Sequence, residues 1–222
     1  RMIIMNTPHN PTGRVFTGNE LNLISTLAIE HDVIVLSDEV YDKLVLTGEH
    51  VPIATLPGMR ERTITLRSLG KVFSVTGWKI GWSVAPSELT EAIRNAHQFL
   101  TFCASTPLQV AAATALRAPG DYYSTYTAEY RERRDTLVQG LQSVGFKVRS
   151  PQGTYFVLAD HSPFGLEDDI AFCHHLVNTC GVVGIPPSTF YANSSEGKGF
   201  VRFAFCKGLE TLNAAVERLE GL

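Results

Sequence analysis

Strand-like runs at residues 2–6, 32–37, 62–68 and 79–85 alternate with stretches of helical periodicity, and this alternation restricts the fold more than any other feature of the sequence. Between 17 and 31, Leu21, Ile24, Leu27 and Ala28 recur at the spacing of one helix face. Repeated strand–helix units build a mostly parallel sheet covered by helices. Two more helix-like segments follow, at about 87–103 and 107–117, before Ala118-Pro119-Gly120 interrupts the pattern and marks a domain boundary. Beyond it the order changes to a long charged helix from 121 to about 145, strand-like runs at 154–159 and 199–205, a helix near 167–179 and a closing helix at 208–219. The expected class is α/β, with a mostly parallel, helix-flanked sheet over 1–120 and a smaller α+β domain over 121–222.

Composition narrows the partners. With 18% charged residues, a net charge of −3 and no basic block, the 222-residue chain lacks the clustered Lys/Arg footprint of a nucleic-acid binder. No apolar stretch approaches the roughly 18 residues that span a bilayer. Neither a nucleic acid nor a membrane is expected as a partner. Cys103, Cys173, Cys180 and Cys206 form no C-x-x-C pair, so no disulfide framework or zinc ribbon is indicated, and a reducing compartment fits best. Cys173-His174-His175 would point in different directions on a helix, which argues against a metal site. Asn193-Ser194-Ser195 matches a glycosylation sequon but reads as a polar loop. The opening Arg1-Met2-Ile3-Ile4-Met5-Asn6 reads directly as a strand, as the middle of a longer protein would.

Two strand ends carry the chemistry. Ser37-Asp38-Glu39-Val40-Tyr41 follows the apolar run Val33–Leu36, and Arg62–Leu66 leads into Ser68-Leu69-Gly70-Lys71. Binding sites on open α/β sheets form at such ends. A lysine whose pKa is lowered by its surroundings can condense with an aldehyde cofactor, and a carboxylate beside a pyridine nitrogen keeps that nitrogen protonated so that the ring absorbs electrons. Lys71 and Asp38 suit these roles, and together they read as a pyridoxal-phosphate site. Tyr41, placed three residues past Asp38 on a helical turn, and the Asn10 amide are candidates for hydrogen bonds to the cofactor's phenolic oxygen. Ser68 and Lys79 are candidates for its phosphate, and Arg202 for a bidentate grip on a substrate α-carboxylate, with Asn10 also near the substrate.

Each residue also has a plain structural reading. Asp or Asn after a strand commonly caps a helix or forms a turn, Ser68 can cap, Lys79 can be a solvated charge, and Tyr41 can be a core aromatic. Arg202 stands apart because it alternates with aromatics in Phe200-Val201-Arg202-Phe203-Ala204-Phe205, where burial without a partner would cost several kcal/mol.

Taken in order, Asn6–Gly13, Ser37–Tyr41, Ser68–Lys71, Gly77–Trp82 and Val201–Phe205 resemble the motifs of the class I and II aminotransferases, the fold-type I pyridoxal-phosphate enzymes. Gly70-Lys71 and Trp78-Lys79 are most similar to the kynurenine and glutamine-phenylpyruvate aminotransferase branch, whereas many other members carry arginine where this chain has Lys79. The resemblance implies a ping-pong transfer of an amino group from an L-amino acid to a 2-oxo acid. Lys71 is implied as Schiff-base lysine and proton shuttle, Asp38 as partner of the pyridine nitrogen, and Asn10 and Tyr41 as partners of the phenolic oxygen. Ser68 and Lys79 are implied at the phosphate, Arg202 at the α-carboxylate, and no metal is implied.

The family's N-terminal portion, including its ring-stacking aromatic, has no counterpart in these motifs. The chain is therefore expected to depend on a missing portion, and a homodimer is implied for the full-length form. Three alternatives stay open: a carbon–sulfur β-lyase acting on cysteine conjugates, an inactive fragment, and a cofactor-binding sensor domain of a transcription regulator. The donor and acceptor are undetermined, although Phe102, Tyr155, Phe190 and Tyr191 are candidates for an apolar pocket. The expected location is cytoplasmic, with an organelle as the alternative.

Overall fold

The computed structural model describes residues 1–222. Contacts between backbone positions divide the chain into two compact units, one comprising 1–8 and 15–124, the other 9–14 and 125–222. This division differs from the expected 1–120 and 121–222 in two respects. The Pro119-Gly120 break separates two helices without ending a domain, and the turn His9–Arg14 groups with the C-terminal residues.

The first unit contains β1 (Met2–Asn6), α1 (Gly18–Glu30), β2 (Ile34–Asp38), β3 (Thr63–Ser68), α2 (Leu69–Val72), β4 (Gly81–Val84), α3 (Ser87–Leu100) and α4 (Thr106–Ala115). Its sheet runs β1-β2-β3-β4, with β1/β2 and β2/β3 parallel and β3/β4 antiparallel. The mostly parallel α/β character expected from the alternation is what the structure shows. Thr17 starts α1 with a capping box: it accepts from the Glu20 N–H at 3.3 Å while Glu20 accepts from the Thr17 N–H at 2.9 Å, satisfying two orphan donors. Leu21 and Ala28 then bury against Met5, Val35, Ile53 and Met59, a core that fixes α1 on the sheet.

Register places the chemistry. Asn6 lies opposite Asp38, Asp38 opposite Leu66, and Ser68 opposite Gly81, so the ends of the parallel strands and the start of β4 share one edge. The expected strand at 79–85 starts only at Gly81 because Lys79 has a left-handed backbone, φ 55°. Leu69, Ile80 and Ala112 form a second core under α2, with Phe73, Val75 and Trp82 packed on it. Gly70 has no room for a side chain, since an added Cβ would lie 2.8 Å from the Thr76 Cα. Gly70→Ala is therefore expected to cost about 1–3 kcal/mol, read as a lowered midpoint of thermal unfolding; an unchanged midpoint would show that the α2 turn yields.

In the second unit, α5 (Gly120–Val144, counted here from Thr125) is followed by β5 (Lys147–Val148), β6 (Phe156–Asp160), α6 (Asp169–His175), β7 (Phe200–Ala204) and α7 (Leu209–Leu219). The strands form an antiparallel sheet in the order β5-β6-β7. Val157, Ala159, Val201, Phe203 and Phe205 are buried, with Leu137, Leu141, Phe172, Leu176 and Leu212. The strand expected from 154 starts at Phe156 because Thr154 has φ 65°. The helix expected over 167–179 is shorter: Asp168 caps α6, accepting from the Ile170 and Ala171 N–H groups, and the chain widens into a π-helical turn over Leu176–Cys180 that ends at Gly181, φ 66°. Two-residue β5 is too short to leave a periodicity in the sequence.

Candidate active site

Asp38 is the last residue of β2 and is half-buried. Its carboxylate accepts one hydrogen bond, from the Val40 N–H at 3.3 Å. Burial pushes this carboxyl above its ordinary pKa; the Val40 N–H and then the Lys71 ammonium pull it back, and Glu39 adds to the rise. A desolvated carboxylate with so few donors is suited to a cationic N–H partner. Tyr41 is buried at 3% exposure, and Lys71 Nζ lies 5.7 Å from the centre of its ring. The expected helical turn at Tyr41 is instead a pair of overlapping reverse turns, with the Asp42 N–H donating to the Glu39 carbonyl and the Leu44 N–H to the Tyr41 carbonyl.

Lys71 sits in the single turn of α2, immediately after β3. Ser68 is the N-cap residue of that turn, yet its side chain makes no capping bond, which leaves the hydroxyl to other work. Ser68, Lys71 and Lys79 border one cleft of about 300 Å³, together with Gly70, Thr76, Ile80 and Gly81. Two cations and a hydroxyl around a small concavity suit an anionic, aldehyde-bearing ligand, and the volume is at the lower end of the range for small-molecule sites. These residues fit pyridoxal phosphate.

Behind Asp38 lies a polar group that the motif-by-motif reading passed over. Glu39 is fully buried and accepts from Ser37 Oγ at 2.9 Å, from His50 Nε2 at 2.8 Å and from Arg67 Nη2 at 2.7 Å. Arg67 also pairs with Asp42 through Nη1. The available signal was the juxtaposition of Glu39 with Asp38 and of Arg67 with Ser68, two opposite charges each next to a site residue.

In the second unit, Arg202 on β7 donates from Nη1 to Asn10 Oδ1 at 2.9 Å. Its guanidinium carbon lies 4.2 Å from the Phe156 ring centre and 4.8 Å from that of Phe190. The aromatic alternation noted in the sequence thus supplies apolar walls for a partly exposed guanidinium. The other pocket candidates diverge: Phe102 is 78% exposed, and Tyr155 packs against Tyr130 and Phe156. Asn193 accepts from the Ser195 N–H and Oγ as a local cap. Burial, with Asp169 beside it, pushes the Cys173 thiol up to about 11, and no group of three or more His, Cys, Asp or Glu side chains is arranged to hold a metal ion. No helix is long and apolar enough to cross a membrane.

The family model described as aminotransferase class I and II matches residues 1–219. The chain belongs to this family. It is similar to the solved N-succinyldiaminopimelate aminotransferase of Mycobacterium tuberculosis, 42% identical with a TM-score of 0.95, over 99% of this chain and 58% of that one. The solved methionine aminotransferase of Escherichia coli is 38% identical with a TM-score of 0.94, over 100% and 58%. A kynurenine–oxoglutarate transaminase of Dictyostelium discoideum is 41% identical, over 99% and 56%. The chain thus spans 56–58% of the length of these relatives. The class depends on pyridoxal phosphate and acts on amino and oxo acids.

Proposed function

We propose that this chain carries the lysine-bearing part of a pyridoxal-phosphate aminotransferase that moves an amino group from an L-amino acid to a 2-oxo acid. The convergence of Ser68, Lys71 and Lys79 on one cleft is the observation that carries this reading. When bound, the cofactor supplies an aldehyde for the amino group and a ring that takes up the electrons of the substrate's Cα–H bond. Lys71 would hold the cofactor through Nζ, and the same amine would take the substrate's α-proton and give it back. Asp38 would hold the ring nitrogen in its protonated form. Tyr41 would donate to the phenolic oxygen, a role that the family resemblance also implies for Asn10, while Ser68 Oγ and Lys79 Nζ would hold the phosphate. Lys79 is exposed, so its contribution is a screened point charge rather than a buried pair.

Arg202 would bind the substrate carboxylate, and Asn10 Oδ1, which accepts from Nη1, helps to orient the guanidinium. Arg202→Lys keeps the charge and loses the fork. At about 2–3 kcal/mol for the charged hydrogen bonds involved, kcat/KM is expected to fall roughly 30- to 150-fold. A loss under threefold in steady-state assays would remove Arg202 from this role.

The names of these relatives span three amino donors, so the substrate class proposed is an α-amino acid without a fixed side chain. The proposed assembly is a homodimer, testable by sedimentation of the intact protein. The reading itself is tested by visible absorbance of the intact protein with added pyridoxal phosphate, before and after an amino acid such as glutamine or methionine. A protein-dependent band that converts with the amino acid and returns with a 2-oxo acid supports transamination. Pyruvate and ammonia formed from a cysteine conjugate without any acceptor would instead establish β-lyase chemistry, and a protein that never develops the band would overturn the proposal.

A further inference from the structure

The buried polar group behind Asp38 joins the two strand ends on which the proposed chemistry rests. Ser37 and Glu39 are bonded to each other and flank Asp38, so the alternation of side chains sets them on the face opposite the Asp38 carboxylate. Arg67 flanks Ser68 in the same way on β3. The Glu39 N–H donates to the Leu66 carbonyl at 3.1 Å, so both backbone and side chain of Glu39 grip β3 beside the residues that lead into Lys71. Arg67 is shared between Glu39 and Asp42, and Asp42 follows Tyr41 directly. Around one guanidinium, therefore, stand the sequence neighbours of Asp38, Tyr41 and Ser68. His50 completes the arrangement from its own loop: its Nε2 meets Glu39, and its buried Nδ1 has no partner.

We propose that Arg67 and Glu39 are positioning residues for the cofactor site, Arg67 holding the Asp38 and Ser68–Lys71 strand ends in register and neutralising Glu39 so that Asp38 remains ionised next to it. The inference rests on the aminotransferase reading of the site. The charged groups that act on Asp38 are Lys71 from α2, which favours the carboxylate, and Glu39 on the opposite side of the same strand end, which opposes it. Glu39 in turn faces Arg67, His50 and Ser37. Removal of the Arg67 charge leaves Glu39 as an under-neutralised anion adjoining Asp38, and a like charge disfavours ionisation. Replacing Glu39 as well removes the repulsion. The two changes therefore act with opposite sign on Asp38, which a purely structural ion pair would not do: there, each loss would lower stability and leave the site's titration unmoved.

The test uses the intact protein and pyridoxal phosphate, with binding read by absorbance between pH 5 and 9 and unfolding read by circular dichroism. In R67Q, affinity at pH 7 is expected to fall about tenfold and the acid midpoint of binding to rise by about one unit, the scale of one close charge interaction. In the double variant E39Q/R67Q, the midpoint is expected to return toward that of the parent. In E39Q, which retains the Arg67–Asp42 pair, the midpoint is expected to fall, and this variant decides the matter if R67Q does not fold. Equal midpoints in parent and E39Q, or a double variant no better than R67Q, overturn the inference while leaving the aminotransferase reading intact. A parent protein that binds no cofactor overturns both.

Discussion

Lys71→Ala is expected to lower transamination by at least about 10⁴-fold and to abolish the protein-dependent absorbance band. The size follows from the two tasks assigned to one amine, holding the cofactor and transferring the α-proton. A positioned general base alone contributes up to about 10⁴-fold, and the loss of covalent attachment adds to it. Lys71→Arg separates the amine from its charge. Arginine stays protonated at any relevant pH, so it keeps the cation facing Asp38 and the Tyr41 ring but can neither take the proton nor attack an aldehyde. This variant is expected to be as inactive as the alanine. The fold is expected to survive both changes, because Lys71 is only half-buried and α2 is anchored by its buried neighbours Leu69 and Val72. Unfolding midpoints within about 3 °C of the parent, with activity gone, would be the signature. A variant retaining a tenth of the parent's rate would remove Lys71 from the chemistry.

How much of this was legible beforehand depended on the length scale of each signal. The α/β alternation was readable because β1 to β4, α1, α3 and α4 each carry their own periodicity, and because Asp38 follows the apolar run Val33–Leu36 and Lys71 follows the strand-like run Arg62–Leu66. Boundaries were less readable where a single backbone angle decides them. The left-handed φ at Lys79 and at Thr154 delays β4 and β6, and neither residue type announces such a conformation. The division of the chain was harder still, since His9–Arg14 joins the C-terminal unit through contacts such as the Gly153 N–H to the Gly13 carbonyl at 2.8 Å, a link across 140 positions that no local pattern encodes. The same holds for Arg202 with Asn10. Residue type suggested that each had a polar partner, but only folding showed that they are each other's. Glu39 was hidden for a different reason. Next to Asp38 it reads as one more surface acid, and its burial becomes intelligible only with Arg67 and His50 brought against it.

Asp38→Asn tests the electrostatic half of the site, with an expected fall in kcat/KM of roughly 10²–10³-fold. Asparagine has nearly the same shape and still accepts from the Val40 N–H, so the difference is the charge that would face the ring nitrogen. Breaking a desolvated ion pair costs about 3–5 kcal/mol when fully buried; Asp38 is half-buried, which places the effect toward the lower part of that range. Stability is expected to move the other way. Burial, the largest influence on this carboxyl, raises its pKa in the folded chain, so the folded state takes up a proton more readily than the unfolded one. Ionising Asp38 therefore works against folding at pH values above the raised pKa, and that cost disappears as pH falls below the ordinary carboxylate value of about 4. The cofactor-free Asn variant should accordingly melt no lower than the parent at pH 7 to 8, with the difference shrinking in acid. Loss of activity together with retained or increased stability assigns Asp38 to the chemistry. Loss of both would mean that the carboxylate holds the end of β2 together, and its place at the cofactor nitrogen would have to be given up.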